Sequence, residues 1–248
     1  MSGVASIRII KTGTVQCEGF ENCSASLFLF KDKIGVGGGS TVTFIRSDKN
    51  ILVDTGYDGG WDSRETDARN RAALILALSA AELTPDDIDI IIITHWHFDH
   101  TGNISLFPRA QVITSGITVK TRHLKSAQCS GGDIIAEGVS IIDTPGHTEG
   151  HISVKVQMAS MNKSQRTVIV AGDAIINPVY YMMGKIWDHN PDFFSYDAGY
   201  ESIRLIQEEA DYIIPGHGTI FENCRRWQGP DPEQTTHRRP TRIMRGIR

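Results

Sequence analysis

Apolar residues along this chain come in short runs that end abruptly in small, polar or charged residues. SLFLF (26–30) and STVTFI (40–45) are rich in β-formers and are separated by a stretch containing Gly37-Gly38-Gly39, while NILVDTG (50–56) breaks from an apolar run into a turn. Apolar positions at helical spacing predict a helix over 65–83, stopped by Thr84-Pro85. IDIIIIT (88–94) is too apolar for a half-exposed strand and predicts one buried on both faces. AQVITS, GVSIID, HISVKVQM and TVIVAGD predict further strands, a helix is expected over 200–210, and DYIIPGHG follows it. No sequence repeat of 20 to 50 residues is visible, yet strands and a helix followed by strands and a helix predict two similar halves packed together. From residue 228 the chain is polar and proline-containing and is expected to be irregular.

A length of 248 residues accommodates one large domain or two small ones, and 40% hydrophobic with 22% charged residues excludes a disordered composition. The apolar stretch 71–83 is shorter than the roughly 20 residues a membrane-spanning helix needs, so it predicts a packed helix. MSGVASIRII lacks the pattern of a secretory signal. Cys17, Cys23, Cys129 and Cys224 form no CxxC pair and are expected to be buried or free thiols, which fits a reducing, cytoplasmic compartment. Net charge is −4, which argues against a strongly basic nucleic-acid binder. The charge is uneven, however. Seven arginines against Asp231 and Glu233 give residues 225–248 a charge of +5, leaving −9 on the other 224. That end is expected to be a solvated tail beyond a 1–224 domain, with an RNA or anion contact as the alternative.

The polar residues that end the apolar runs are of one kind. VDTG, THWHFDH, TPGH, VAGD and PGHG each place histidine or aspartate at the C-terminal end of a predicted strand, where loops leaving one sheet edge can converge. In extended chain, residues two apart point the same way, so His95 and His97 can face one metal ion together. Asp99 and His100 can swing toward a second ion as the loop curls past Phe98. Four ionisable groups crowded behind a buried strand would cost desolvation with nothing to offset it unless they held something. His147, Asp173 and His217 add candidate ligands from the other strand ends. Imidazole and carboxylate suit zinc, and also iron or manganese. Asp54 and His151 are candidates for hydrogen bonds that fix a ligand's tautomer from behind. His123, His189 and His237 lie away from strand ends and are not expected to be ligands.

The set HWHFDH, TPGH, GD and PGHG resembles the metallo-β-lactamase superfamily over residues 7–221. The resemblance implies an α/β fold, the four-layer αββα sandwich, with the site at one edge of the two sheets. It also implies His95, His97 and His147 on one divalent ion, Asp99, His100 and His217 on a second, and Asp173 bridging both. Within the superfamily, THWHFDHTGNISLFP, STVTFIRSDKNILVDTG and WDHNP are most similar to the domain-containing protein 1 type, although GHTEGH, with His151, belongs to thioesterase- and lactonase-like members.

The implied chemistry is dinuclear and metal-dependent, most readily with zinc. Two ions about 3.5–4 Å apart hold a bridging hydroxide at neutral pH, which attacks an ester, thioester, lactone or similar bond of a small-molecule substrate. Asp99, by position, orients that nucleophile or shuttles a proton. One alternative is an RNA endonuclease, the activity implied by the domain-containing protein 1 type. Another is an iron-dependent sulfur dioxygenase; a non-catalytic metal-holding scaffold would be expected to have lost ligands. The residues after Asp173, AIINPVYY, lack the tyrosine expected third in acyl-homoserine lactonases, with Tyr180 or Tyr181 as substitutes. Substrate-shaping aromatics are sought in 182–194, around Trp187, and near Trp61.

Overall fold

The computed structural model describes residues 4, 6–14, 38–58, 64–115, 125–159 and 166–223. The SLFLF strand, Cys17, Cys23, Cys224, Trp61, His123, His237 and the basic tail lie outside the described residues.

Two six-stranded sheets pack face to face. The first runs β1 (Ser6–Lys11), β2 (Val42–Arg46), β3 (Asn50–Val53), β4 (Ile90–Ile92), β5 (Gln111–Ser115) and β6 (Lys125–Cys129) in spatial order. The second contains β7 (Ile134–Ala136), β8 (Val139–Asp143), β9 (Ile152–Met158), β10 (Arg166–Gly172), β11 (Tyr212–Pro215) and β12 (Phe221–Glu222), again in sequence order across the sheet. In the first sheet β3, β4, β5 and β6 are parallel; in the second, β10 and β11 are parallel while β8, β9 and β10 alternate.

Alternation along the strands produces the layers. Ile51 and Val53 of β3, with Ile90 and Ile92 of β4, point between the sheets and meet Val154, Val156, Val168, Val170 and Ile214. Leu52 and Ile91 point the other way, onto Leu74 and Leu78 of helix α1 (Arg64–Ala80). On the far side, Ile169 and Ala171 of β10 and Ile213 of β11 pack on Ile203 and Ile206 of a later helix, Tyr196–Glu209. Each of these isoleucines and leucines removed from water contributes roughly 1.5–3 kcal/mol. Together they give the expected αββα sandwich, with two short helices, α2 (Phe98–Thr101) and α3 (Pro178–Met182), in loops and α4 (Tyr196–Glu209) as the outer layer of the second half.

Several boundaries differ from the sequence reading. Helix α1 ends at Ala80, ahead of Thr84-Pro85, because Glu82 takes a left-handed φ of 58° and the Leu83 amide folds back to the Leu78 carbonyl at 3.0 Å. Helix α4 begins at Tyr196, four residues before the predicted start, where the Ser195 hydroxyl accepts from the Ala198 amide at 3.3 Å. Strands β1, β6, β7 and β12 were not predicted. All lie at or beside sheet edges, where one exposed side leaves little apolar pattern to read. Within the predicted 88–94 the strand itself is β4, Ile90–Ile92, and it is buried as expected, with Ile91 and Ile92 at 0% exposure, while Asp89 ahead of it is exposed. Cys129 is a free, buried thiol, as expected. Among the described residues no helix is long and apolar enough to cross a membrane.

Candidate metal centre

Strands β3, β4, β8, β10 and β11 all end toward one rim of the sandwich, and each carries a polar residue just past its end. The chain bends at Thr94-His95 as it leaves β4, which still brings His95 and His97 together, and α2 then turns through Phe98 to present Asp99 and His100. The two sheets are tied at this rim by the Ile152 amide on the Thr94 carbonyl and the Thr41 amide on the Gly216 carbonyl, at 2.9 and 2.7 Å.

Seven of the nine predicted site residues fall into two adjoining clusters. His95, His97, His147 and Asp173 bring one ligand atom each within 4.8 Å of one another, and so do Asp99, His100 and His217. His97 Nδ1 lies 2.8 Å from His95 Nε2 and 3.0 Å from His147 Nε2. Asp173 stands between the clusters. Its Oδ2 faces His147 Nε2 at 3.3 Å and His95 Nε2 at 3.8 Å, while its Oδ1 faces His100 Nε2 at 3.3 Å and His217 Nε2 at 3.4 Å. Asp99 Oδ2 completes the second cluster, 3.2 Å from His217 Nε2 and 3.4 Å from His100 Nε2.

This donor set fits divalent cations. His100 Nε2 and Asp173 Oδ1 are buried, face each other and have no hydrogen-bond partner, a costly arrangement unless a cation lies between them. The histidine and carboxylate donors suit zinc and equally iron or manganese.

Three ligand candidates follow a glycine: Gly146-His147, Gly172-Asp173 and Gly216-His217. A Cβ on Gly216 would come 1.8 Å from Asp173 Oδ1, so the His217 loop can pass under the carboxylate only without a side chain there. Gly146, at φ 145°, would clash with Gly199 Cα at 2.3 Å, where the His147 loop crosses α4.

Asp54 sits behind the second cluster. Its Oδ2 accepts from His100 Nδ1 and from the Thr94 hydroxyl, both at 2.8 Å, and its Oδ1 accepts from the Thr94 amide at 2.9 Å. Those bonds hold it at a left-handed φ of 58°, a conformation that a carboxylate side chain tolerates. His151 is 1% exposed and makes a different contact: its Nδ1 lies 2.9 Å from the Thr144 hydroxyl, its Nε2 has no partner, and its ring centre is 5.1 Å from that of His95. The Ser153 hydroxyl donates to the Ala171 carbonyl at 3.0 Å, so Thr144 donates to Ser153 and accepts from His151 Nδ1. His189 stays outside both clusters, beside Asp188. Tyr181 is buried with its hydroxyl on Asn223 Oδ1, and Tyr180 packs on Trp187 with ring centres 5.7 Å apart.

The two clusters differ electrostatically in the absence of cations. Burial holds His95 well below the ordinary histidine range and His147 down at about 4, so these two imidazoles of the first cluster are neutral. Burial would lower His217 as well, but Asp173 and Asp99 lift it to about 10; Asp99, Asp173 and Asp54 raise His100 in the same way. The same pairing keeps Asp173 ionised against its burial, chiefly through His217 and His100. The second position therefore carries protons that a cation must displace.

The sequence reading missed Asp192 and Asn190. Asp192 Oδ1 lies 2.9 Å from His97 Nε2, and the Asn190 side-chain amide donates at 2.9 Å both to Asp192 Oδ1 and to the His147 carbonyl. The available signal was their place within and just after WDHNP, in a segment read as substrate-shaping.

The sequence profile described as "Metallo-beta-lactamase superfamily" matches residues 35–217. The chain is 30% identical over 192 residues to metallo-beta-lactamase domain-containing protein 1 of Xenopus laevis, covering 76% of this chain and 74% of that protein. It is 30% identical over 209 residues to the Homo sapiens protein of the same name, covering 80% and 69%. Among solved structures, a probable metal-dependent hydrolase from Staphylococcus aureus superposes with a TM-score of 0.63 at 16% identity, over 93% of this chain and 96% of that one.

Proposed function

The chain belongs to the metallo-beta-lactamase superfamily, and from that premise we propose that it is a dinuclear hydrolase of esters, thioesters, lactones or similar carbonyl substrates, zinc being the first metal to test. In this reading residues 1–224 form the catalytic unit. His95, His97 and His147 would hold one ion and Asp99, His100 and His217 the other, with Asp173 available to both. The observation that carries it is the split carboxylate of Asp173, one oxygen turned to each cluster.

When bound, such ions supply Lewis acidity and lower the pKa of water toward ~7. The chain's own groups do the rest. Five of the seven side chains, His95, His100, His147, Asp173 and His217, are at most 5% exposed and form a rigid floor. His97 and Asp99, at 24% and 31%, are the open ones, so a substrate carbonyl approaches over them. The Ser40 hydroxyl and the Tyr57 amide hold the Asp99 backbone carbonyl at 2.9 and 2.7 Å, which fixes where its carboxylate can take up or release a proton. Asp192 at this face, 58% exposed, favours a neutral or cationic substrate over a polyanion.

The basic tail, at +5, favours the second reading, an RNA endonuclease. One panel decides between them: zinc-reconstituted protein and the Asp173→Ala variant against thioesters, lactones, aryl esters and single-stranded RNA. Turnover of a carbonyl substrate, reduced about 100-fold or more in the variant, is expected. Cleavage of RNA alone would install the second reading, and hydrolysis indifferent to chelators would sink both.

A further inference from the structure

We infer that Asp192, held by Asn190, is a positioning residue that fixes which nitrogen of His97 faces the first metal position. The inference rests on the dinuclear reading above. A neutral imidazole binds a cation through one nitrogen only when the other carries the proton, so whatever accepts from the rear nitrogen sets the tautomer and the ring's orientation.

The rear contacts are unequal. His100 Nδ1 meets Asp54 at 2.8 Å and His217 Nδ1 meets the Thr14 carbonyl at 2.9 Å. His95 Nδ1 lies 3.2 Å from the Thr94 hydroxyl, and His147 Nδ1 lies 3.4 Å from the Trp187 carbonyl. All four of these turn Nε2 toward the clusters and are almost wholly buried, so packing also restrains them. His97 is reversed. It turns Nδ1 inward and Nε2 outward, and it is the only one of the five whose ring is substantially open to water. Its ring packs on His95 and His147, with centres 4.4 and 4.8 Å away, but its open side leaves it less restrained than the other four, and water accepts from either nitrogen. The Asp192 carboxylate, 2.9 Å from Nε2, selects the Nε2–H tautomer and leaves the Nδ1 lone pair directed at His95 and His147.

An exposed carboxylate on a flexible side chain would hold a ring weakly. Here it is tethered. The Asn190 amide donates to Asp192 Oδ1 and to the His147 carbonyl, both at 2.9 Å, and the Phe193 amide closes the turn on the Asn190 carbonyl at 3.3 Å. One amide group thus couples the carboxylate behind His97 to the backbone of His147. Each metal position then contains one imidazole backed by a carboxylate: Asp54 behind His100, Asp192 behind His97.

The test uses the full chain, stripped and titrated with zinc against a competing chelator, and with cobalt for its visible absorption. Asp192→Ala is expected to weaken one of the two zinc affinities about 10- to 100-fold and to alter the cobalt bands. Asp192→Asn, whose amide oxygen still accepts from His97 Nε2, is expected to recover most of that loss, and Asn190→Ala to show a smaller version of it. The two metal-free Asp192 variants should unfold at the parent's temperature, since the Asp192 side chain is 58% exposed. Two unchanged affinities with an unchanged cobalt spectrum in Asp192→Ala overturn the inference, as does an Asp192→Asn as weak as the alanine variant. A parent protein that itself binds fewer than two ions removes the dinuclear reading, and this inference with it.

Discussion

His151 offers a perturbation whose size follows from its surroundings. The ring is buried, its Nε2 has no partner, and its Nδ1 donates to Thr144, so a second proton would sit unsolvated beside His147. Burial pushes its pKa from 6.5 down to about 3, with His147 adding to the effect. A depressed histidine pKa means that the unfolded chain takes up the proton first. Stability is therefore fully present above pH 6.5 and is lost as pH falls toward 3, at about 1.4 kcal/mol per pH unit for this one group. Between pH 6.5 and 4.5 that amounts to about 2.7 kcal/mol. In His151→Leu this proton-linked loss is absent. The measurement is urea unfolding of the metal-free protein, followed by tryptophan fluorescence, at several pH values across that interval. The variant begins less stable than the parent by about 1 kcal/mol at pH 7, having lost one hydrogen bond. It should gain on the parent by about 1.4 kcal/mol per unit and overtake it near pH 6. Parallel stability curves for the two proteins would refute the reasoning, because they would mean that His151 is protonated equally in folded and unfolded chains.

Three further outcomes are expected. Zinc added to metal-free protein at pH 7 should displace more than one proton, because His217 and His100 hold theirs through Asp173 and Asp99; calorimetry in two buffers of different ionisation enthalpy reads the number, and a buffer-independent heat would contradict it. Zinc at 100 times its Kd should stabilise the parent by about 2.7 kcal/mol but Asp173→Ala far less, measured by thermal unfolding. Gly146→Ala, which drives a Cβ to 2.3 Å from Gly199 Cα at a φ of 145°, should cost more than about 2 kcal/mol in urea unfolding and weaken zinc binding through His147; a neutral substitution would show that the crossing with α4 is loose.

The sandwich and the site were legible in the sequence to different depths, for physical reasons. Runs such as IIII and VIVA must be buried, and with strands and a helix recurring in each half they led to two similar halves packed together; the αββα arrangement itself came from the resemblance carried by HWHFDH, TPGH, GD and PGHG. The ligand candidates were legible because a histidine or aspartate directly behind a buried strand is expensive, and because five such strand ends recur along the chain. Elements that bury little, β1, β6, β7 and β12, left no such trace, and the ends of α1 and α4 depended on Glu82's left-handed turn and Ser195's cap. Sequence by itself determined which residue types would meet at the rim. Only the tertiary structure decided that Asp173 turns one oxygen to each cluster, that His97 enters reversed, and that Asp192 and Asn190, nearly a hundred residues along the chain, stand behind it. Those relations are set by how two sheets and a loop cross in space, and hydrophobic pattern, which fixes only what must be inside, carries no record of them.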